Sequence, residues 1–484
     1  MGASDNAIMQ KMLESLLALS PLDGRYRAET EALRSAFSEF AYLRQRAQVE
    51  AAYLAALSCD LHLVRDLAPG EVDFLLSLGE RFSPQDAEAI REIERTTRHD
   101  VKAIEIFLRS RLAETSLADT VSWLHFGLTS EDVNNIAQAL ALRAARDQVL
   151  LPALAEVRAR LAWLTDQYKS APMLARTHGQ PAVPTTFGKE MAVFLSRLHR
   201  EMSALQEHPF EAKLSGAVGN FNALALSFPQ VDWLAFSERF LKGLGLKANP
   251  VTTQILPYEN WLEFFDILRR IHAILLGLSQ DLWRYVSGNY LRLRLVATEV
   301  GSSTMPQKVN PMDFENAEGN LGLANALLEH YGRKLPISRL QRDLSDSTVR
   351  RTFGAALGHA LVGYNSLARG LERIELDEAA LRIELEAHWE VIAEGVQTLL
   401  RTVARPDAYD LLKSLTRGKG LSRERYLQWV DELEIESGIK DRLRSLTPLS
   451  YLGLAEKIAE QVLENMDIDW RQDDRHDYHR NAVG

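Results

Sequence analysis

The stretch Gly301-Ser302-Ser303-Thr304-Met305-Pro306-Gln307-Lys308-Val309-Asn310-Pro311 concentrates the residue types that chemistry needs. Two prolines, a glycine and small polar residues interrupt a long helical pattern there. The loop offers hydroxyls, a cation and amides, and it is costly in a helical core unless it acts. A plain inter-helix connection would look similar. Arg176-Thr177-His178-Gly179-Gln180-Pro181 sets a histidine in a Gly/Pro-punctuated loop, where it can serve as a general acid or base near neutral pH. Taken alone, a surface histidine in a turn fits better. Leu124 to Asp132 places Thr129 and Ser130 before Glu131, Asp132 and an apolar helical run. This reads first as a helix cap, and a helix N-terminus also receives anions. Thr97-Arg98-His99-Asp100 suits a solvated turn or a polar site. Gly243-Leu244-Gly245-Leu246-Lys247-Ala248 matches a dinucleotide fingerprint only loosely. A helical pattern precedes it and Asn249-Pro250 follows, so a glycine helix stop is expected. The twelve histidines are scattered, and no metal site is indicated.

The elements that must position these residues are helices. No proline lies between Pro84 and Pro152, Pro257 and Pro306, or Pro336 and Pro406, which leaves room for long helices. Trp261, Phe264, Leu268, Ile271, Leu275, Leu278, Leu282 and Tyr285 alternate in steps of three and four. Leu150–Leu164 and Met191–Leu205 follow the same rule, which predicts a bundle of long helices. Phe265, Ile267, Ile274 and Leu276 make one helix apolar on more than one face. Burial inside an oligomer and a large monomeric bundle both fit that pattern. Pattern changes near residues 118 and 370 predict an N-terminal helical domain (1–118), a central bundle (119–370) and a C-terminal helical domain with a polar tail (371–484).

Composition narrows the classes. The chain has 484 residues, and its 27 Gly and 16 Pro give 43 in total, a low share that favours helix over loop. The net charge of −10 disfavours a broad nucleic-acid surface. A single cysteine, Cys59, cannot form an intrachain disulfide. No run of 18 apolar residues and no signal-peptide core is found, so a cytoplasmic location is expected.

Taken in order, the segments resemble a known family. Gly-Ser-Ser-x-Met-Pro-x-Lys-x-Asn at 301–310 resembles the signature of the fumarase/aspartase superfamily. The finer resemblance is to the adenylosuccinate lyase family, bacterial branch. It rests on Ser20-Pro21-Leu22-Asp23-Gly24-Arg25-Tyr26, Thr97 to Lys102, Thr129 to Asp132 and Arg176 to Pro181. It rests also on Gly216 to Asn222, Thr252-Thr253-Gln254 and Gln341 to Thr348. The resemblance spans about residues 20 to 465. It implies an all-α, three-domain fold with a central long-helix bundle forming a twenty-helix core in a homotetramer, and active sites shared between subunits. It implies β-elimination of fumarate from adenylosuccinate to give AMP, and from SAICAR to give AICAR. No metal or organic cofactor, nucleic acid or membrane partner is implied.

Such an elimination needs a base, an acid and several cationic or N–H donors for the carbanion. By resemblance, Ser302 is the base and His178 the acid. Lys308 would stabilise the serine anion, and Glu315 would hold the imidazolium. Ser303, Lys308, Val309 and Asn310 would bind the succinyl end, with Thr129 and Ser130 as helix-end donors. Arg25, Tyr26, Arg342, Ser347, Thr348, Val349, Arg350 and Arg351 match the nucleotide and phosphate ligands, a role that suits the bidentate guanidinium fork. Arg98, His99 and Asp100 match a further substrate strip, and Gln254 and Asn316 match polar contacts. Gln307 stands where many relatives carry His and receives no role; His125 falls near the site. Argininosuccinate lyase or fumarase chemistry, a non-catalytic structural protein on the same fold, and a scaffold using the polar tail are the alternatives. The arginines suited to a nucleotide phosphate separate the first, and intact Ser302, His178, Lys308 and Glu315 oppose the second.

Overall fold

The structure, a computed structural model, describes residues 13–294, 304–305, 308–403, 407–416 and 420–466. It is mostly helical. Among the described residues, no helix is long and apolar enough to cross a membrane. The described residues divide into two compact units. One holds residues up to Ala153, Met202–His272 and Gly319–Gly363; the other holds Leu154–Glu201, Ala273–Glu318 and residues from Tyr364 onward. Five long helices, Leu151–Gln167, Phe187–Glu207, Glu259–Ser287, Met312–Lys334 and Phe353–Arg373, contribute residues to both.

The periodic seam is core. Trp261, Phe264, Leu268, Ile271, Leu275, Leu278 and Leu282 are all completely buried. Phe265, Ile267 and Ile274 on neighbouring faces are buried as well. In the first unit Phe265 packs on Tyr331 and Phe353, with ring centroids 5.3 and 5.0 Å apart. These three residues are covered within one chain, whereas Leu276 stays half-exposed.

The first unit also contains the helices Arg27–Phe37, Glu39–Cys59, Pro84–Thr97, Asp100–Ala113 and Ser130–Ala145. Their ends are set by local chemistry. Ser83 and Asp86 exchange bonds as a capping box ahead of Pro84, with the Asp86 amide donating to Ser83 Oγ and the Ser83 amide to Asp86 Oδ2. The Trp233–Gly243 helix stops at the glycine pair, where Gly245 adopts φ +72° and Leu246 N–H reaches back to the Leu241 carbonyl. That is a helix stop, not a nucleotide loop.

Short strands supplement the helices. β1 (Pro172–Thr177) and β2 (Gln180–Thr186) form an antiparallel hairpin in the second unit. β3 (Glu211–Ala212) runs parallel to β4 (Lys247–Ala248) in the first. β5 (Leu291–Leu293) pairs antiparallel with β6 (Ile374–Leu376) in the second. The second unit's C-terminal core gathers Trp389, Ile392, Val396, Tyr426, Val430 and Leu443.

Candidate active site

In the first unit the candidate residues collect around the N-terminus of the Ser130–Ala145 helix. Thr129 is its N-cap, and the Thr129 amide donates to Asp132 Oδ2 at 2.9 Å, so the capping expectation holds. Two acids in the first turn suit the positive end of the helix dipole. Both are buried, so each must find donors. Asp132 accepts from the Ser215 and Gly216 amides at 2.9 and 3.1 Å, and from Lys213 Nζ at 3.0 Å. Lys213, itself completely buried, gives its other protons to the Gly216 and Gln254 carbonyls at 3.0 and 2.8 Å. Gln254 Nε2 in turn donates to the Ala217 carbonyl at 2.9 Å.

Glu131 binds two candidate arginines. Arg350 forks onto it at 2.5 and 3.0 Å, and Arg342 Nη1 donates at 2.9 Å. Burial alone would raise the Glu131 carboxyl, but the Arg350 and Arg342 guanidinium groups outweigh it and hold it below the usual range. Arg350 is buried and also meets Gln138 and Asp346 at 2.9 and 3.4 Å. Tyr258 donates to Asp346 at 2.5 Å. Of the neighbouring positions, Val349 is buried, Ser347 half-buried, and Thr348 and Arg351 exposed.

Arg351 leads to the next group. It lies 3.9 Å from Asp100 and 3.5 Å from Glu39. Arg46, only 2% exposed, binds Asp100 at 2.9 Å. Burial would raise the Asp100 carboxyl, and Arg46 brings it below its ordinary value. Arg98 closes one helix in the left-handed region (φ +51°), and His99 caps the next, accepting from the Lys102 amide at 3.2 Å. The tight turn Ser20–Tyr26 precedes the Arg27–Phe37 helix, leaving Arg25 exposed and Tyr26 half-buried. A cavity of about 330 Å³ is lined by Ser20, Asp23, Arg34 and Arg351, so that turn and Arg351 share one recess.

His125, at φ +58°, is held by a buried carboxylate. Glu50 takes its backbone N–H at 3.1 Å and its ring Nδ1 at 2.6 Å. Burial would lower the imidazole, but the bond and charge of Glu50 raise it above its ordinary value.

In the second unit His178 stands at the tip of the hairpin. Thr177 pairs with Gln180, so His178 and Gly179 are the whole two-residue loop, at φ +54° and +77°. Positive φ at both positions is the hairpin turn that follows strand twist, and Gly179 supplies the freedom it needs. His178 is exposed. Lys308, Val309 and Asn310 lead into the Met312–Lys334 helix, with the Lys308 amide bonded to the Met305 carbonyl at 3.1 Å. Glu315 is in the first turn of that helix and accepts from Trp283 Nε1 at 3.0 Å. Asn316 donates to Ser366 Oγ at 2.7 Å. The expected bond between His178 and Glu315 is not made among the described residues. Ser302 and Ser303 lie outside the described residues.

Sequence reasoning missed the supports. Lys213, Glu50 and Arg46 each hold a candidate segment, yet none belongs to a recognisable motif. A lone lysine amid Phe210, Ala212 and Leu214 was the one available signal.

Comparison with known proteins bears on the family of the chain. A family model described as "Lyase" matches residues 24–325. A fumarate lyase from Mesorhizobium sp. BNC1 superposes with a TM-score of 0.71, at 19% identity, over 90% of this chain and 98% of its own. At that identity the likeness concerns the fold, which is that of the fumarase/aspartase superfamily. A second model, "Adenylosuccinate lyase C-terminal", matches residues 338–452. The adenylosuccinate lyase of Haemophilus influenzae is 45% identical over 453 residues, covering 93% of this chain and 99% of its own. That of Escherichia coli is 44% identical with the same coverage. The chain belongs to the adenylosuccinate lyase family.

Proposed function

We propose that the chain releases fumarate from adenylosuccinate to give AMP, and from SAICAR to give AICAR, in purine nucleotide biosynthesis. The full-length relation to adenylosuccinate lyases, including the C-terminal model specific to them, carries this reading.

In the reaction Ser302, its anion stabilised by the charge of Lys308, takes the proton from the carbon next to a succinyl carboxylate. The electron pair forms the new double bond as the C–N bond breaks, and His178 protonates the leaving nitrogen. Lys308, Asn310, Ser303 and the Thr129–Ser130 helix end hold the carboxylates, where negative charge gathers in the transition state. Arg25, Tyr26 and Arg351 take the nucleotide half. Glu131 fixes Arg342 and Arg350, so these two shape the site's wall as well as its charge. Acid–base groups suffice, so no metal enters the scheme.

The reading includes a homotetramer with shared sites, three domains at 1–118, 119–370 and 371–484, and work in the cytoplasm. Support for shared sites is that His178 and Glu315 are both exposed in one chain and unpaired with each other. Loss of adenylosuccinate absorbance with stoichiometric AMP and fumarate, without added metal, tests the activity. No turnover by folded protein would reject it, and turnover of argininosuccinate instead would assign a sister lyase. Ser302→Ala should abolish turnover while substrate still binds. Mixing Ser302→Ala with His178→Ala, under conditions where subunits exchange, should restore activity if sites are shared.

A further inference from the structure

The His178 hairpin poses a mechanical problem. A two-stranded ribbon is marginal on its own, and residues 176–180 at its tip are exposed. Its register also shifts between Leu174 and Arg176. A general acid needs its proton aimed to within a fraction of an ångström, because about 1 Å of misplacement can cost roughly 100-fold in rate. Something outside the ribbon must therefore hold the tip.

Arg176, two residues before His178, sits at that point. Its Nη1 reaches over the turn to the Gly179 carbonyl at 3.4 Å. Its Nη2 binds Glu384 of the Glu378–Ala387 helix, and its Nε meets the Tyr290 hydroxyl at 3.4 Å. Glu384 is mostly buried and its second oxygen, Oε2, has no hydrogen-bond partner among the described residues. The Tyr290 phenol, which accepts from Arg176 Nε, is pushed up to about 12, chiefly by burial and then by Glu384, so it stays neutral at working pH. The guanidinium thus joins the turn itself to a helix of the C-terminal region through one carboxylate.

We propose that Glu384 is a positioning residue for the elimination: through Arg176 it aims the turn that presents His178. The proposal rests on the reading of His178 as the acid. Glu384 touches no reacting atom, so it differs from a ligand in what its loss does. Substrate binding should survive, and proton delivery should not.

The test is a double-mutant cycle on the intact enzyme with adenylosuccinate as substrate. Glu384→Gln keeps the shape and one hydrogen bond but removes the charge. It should lower kcat by roughly 10- to 100-fold with KM changed less than about 3-fold. Glu384→Asp should recover part of the loss, and Arg176→Gln should reproduce it. In a His178→Gln background, Glu384→Gln should cost nothing further, because no acid remains to be aimed. Multiplicative losses in the double variant, or a rise in KM without a fall in kcat, would overturn the proposal. So would an unchanged kcat for Glu384→Gln beside a crippled His178→Gln. Near-normal turnover of His178→Gln alone would instead sink the assignment of the acid.

Discussion

Replacing Lys213 by Met would test whether the candidate site is held from beneath. The methionine matches the lysine stem in length and removes only the charged end. Lys213 is completely buried and its ammonium satisfies three acceptors: Asp132 Oδ1 at 3.0 Å, the Gly216 carbonyl at 3.0 Å and the Gln254 carbonyl at 2.8 Å. Removing one partner of a buried ion pair costs about 3–5 kcal/mol, because the other charge stays buried and uncompensated. Here Asp132 keeps three backbone donors, from Thr129, Ser215 and Gly216. The loss should therefore fall near the low end, about 3 kcal/mol. Urea unfolding followed by tryptophan fluorescence would read it as a lower midpoint. Since the lysine ties the 213–217 and 252–254 segments to the helix start at Thr129 and Ser130, KM for adenylosuccinate should rise too. Replacing Asp132 by Asn in the same protein should cost much less than in wild type, since the charge it would strand is gone. A loss below about 1 kcal/mol, with KM unchanged, would refute the idea that this pair holds the site together.

Three further outcomes follow from the same contacts. Arg350→Met should cost about 3 kcal/mol in stability, since it leaves the buried Glu131 with Arg342 as its one remaining guanidinium, whereas Arg351→Met, at an exposed residue with carboxylate contacts of 3.5 and 3.9 Å, should raise KM and leave the unfolding midpoint nearly unchanged; the reverse pattern would swap their roles. His272 is completely buried, bonds Asn325 at 2.7 Å, and is pushed down to about 4 by burial. The unfolded chain therefore takes the proton first as pH falls, so stability is full above about 6.5 and drops by about 3 kcal/mol by pH 4; thermal scans across that window should show the slope, and His272→Gln should reduce it. His125 runs the other way. Its raised value means the stability Glu50 contributes is complete below about pH 6.5 and fades as pH climbs through the folded-state value, and Glu50→Gln should flatten the unfolding midpoint above about pH 6.5.

Much of the scaffold could be read in advance because helices announce their buried face at a fixed interval. The seven seam residues from Trp261 to Leu282 are all in the core, and only Tyr285 at its end is half-exposed. The Thr129 cap and the glycine stop at 243–245 were legible for the same reason, being local chemistry. The hairpin carrying His178 was not. Pro172, Pro181 and Pro184 lie within its two strands and the register slips at Leu174/Arg176, so no clean alternation shows, and the segment reads as a loop.

What the chain keeps out of sight is long-range electrostatics. Glu50 finds His125 75 positions later, Asp132 finds Ser215 83 positions later, and Glu131 finds Arg350 219 positions later. None of these pairs has a spacing that a motif could record, since each is set by which helices the fold places side by side. The same distinction explains why resemblance locates candidate ligands better than it ranks them. Arg350 and Arg351 are neighbours in a matching segment, yet one guanidinium is committed to Glu131 and buried, while the other faces solvent at longer range from its acids. A motif carries both forward as equal anion ligands. Burial and pairing separate them, because a guanidinium already neutralised by a buried carboxylate has less field to offer a phosphate than one held loosely at the surface of a recess.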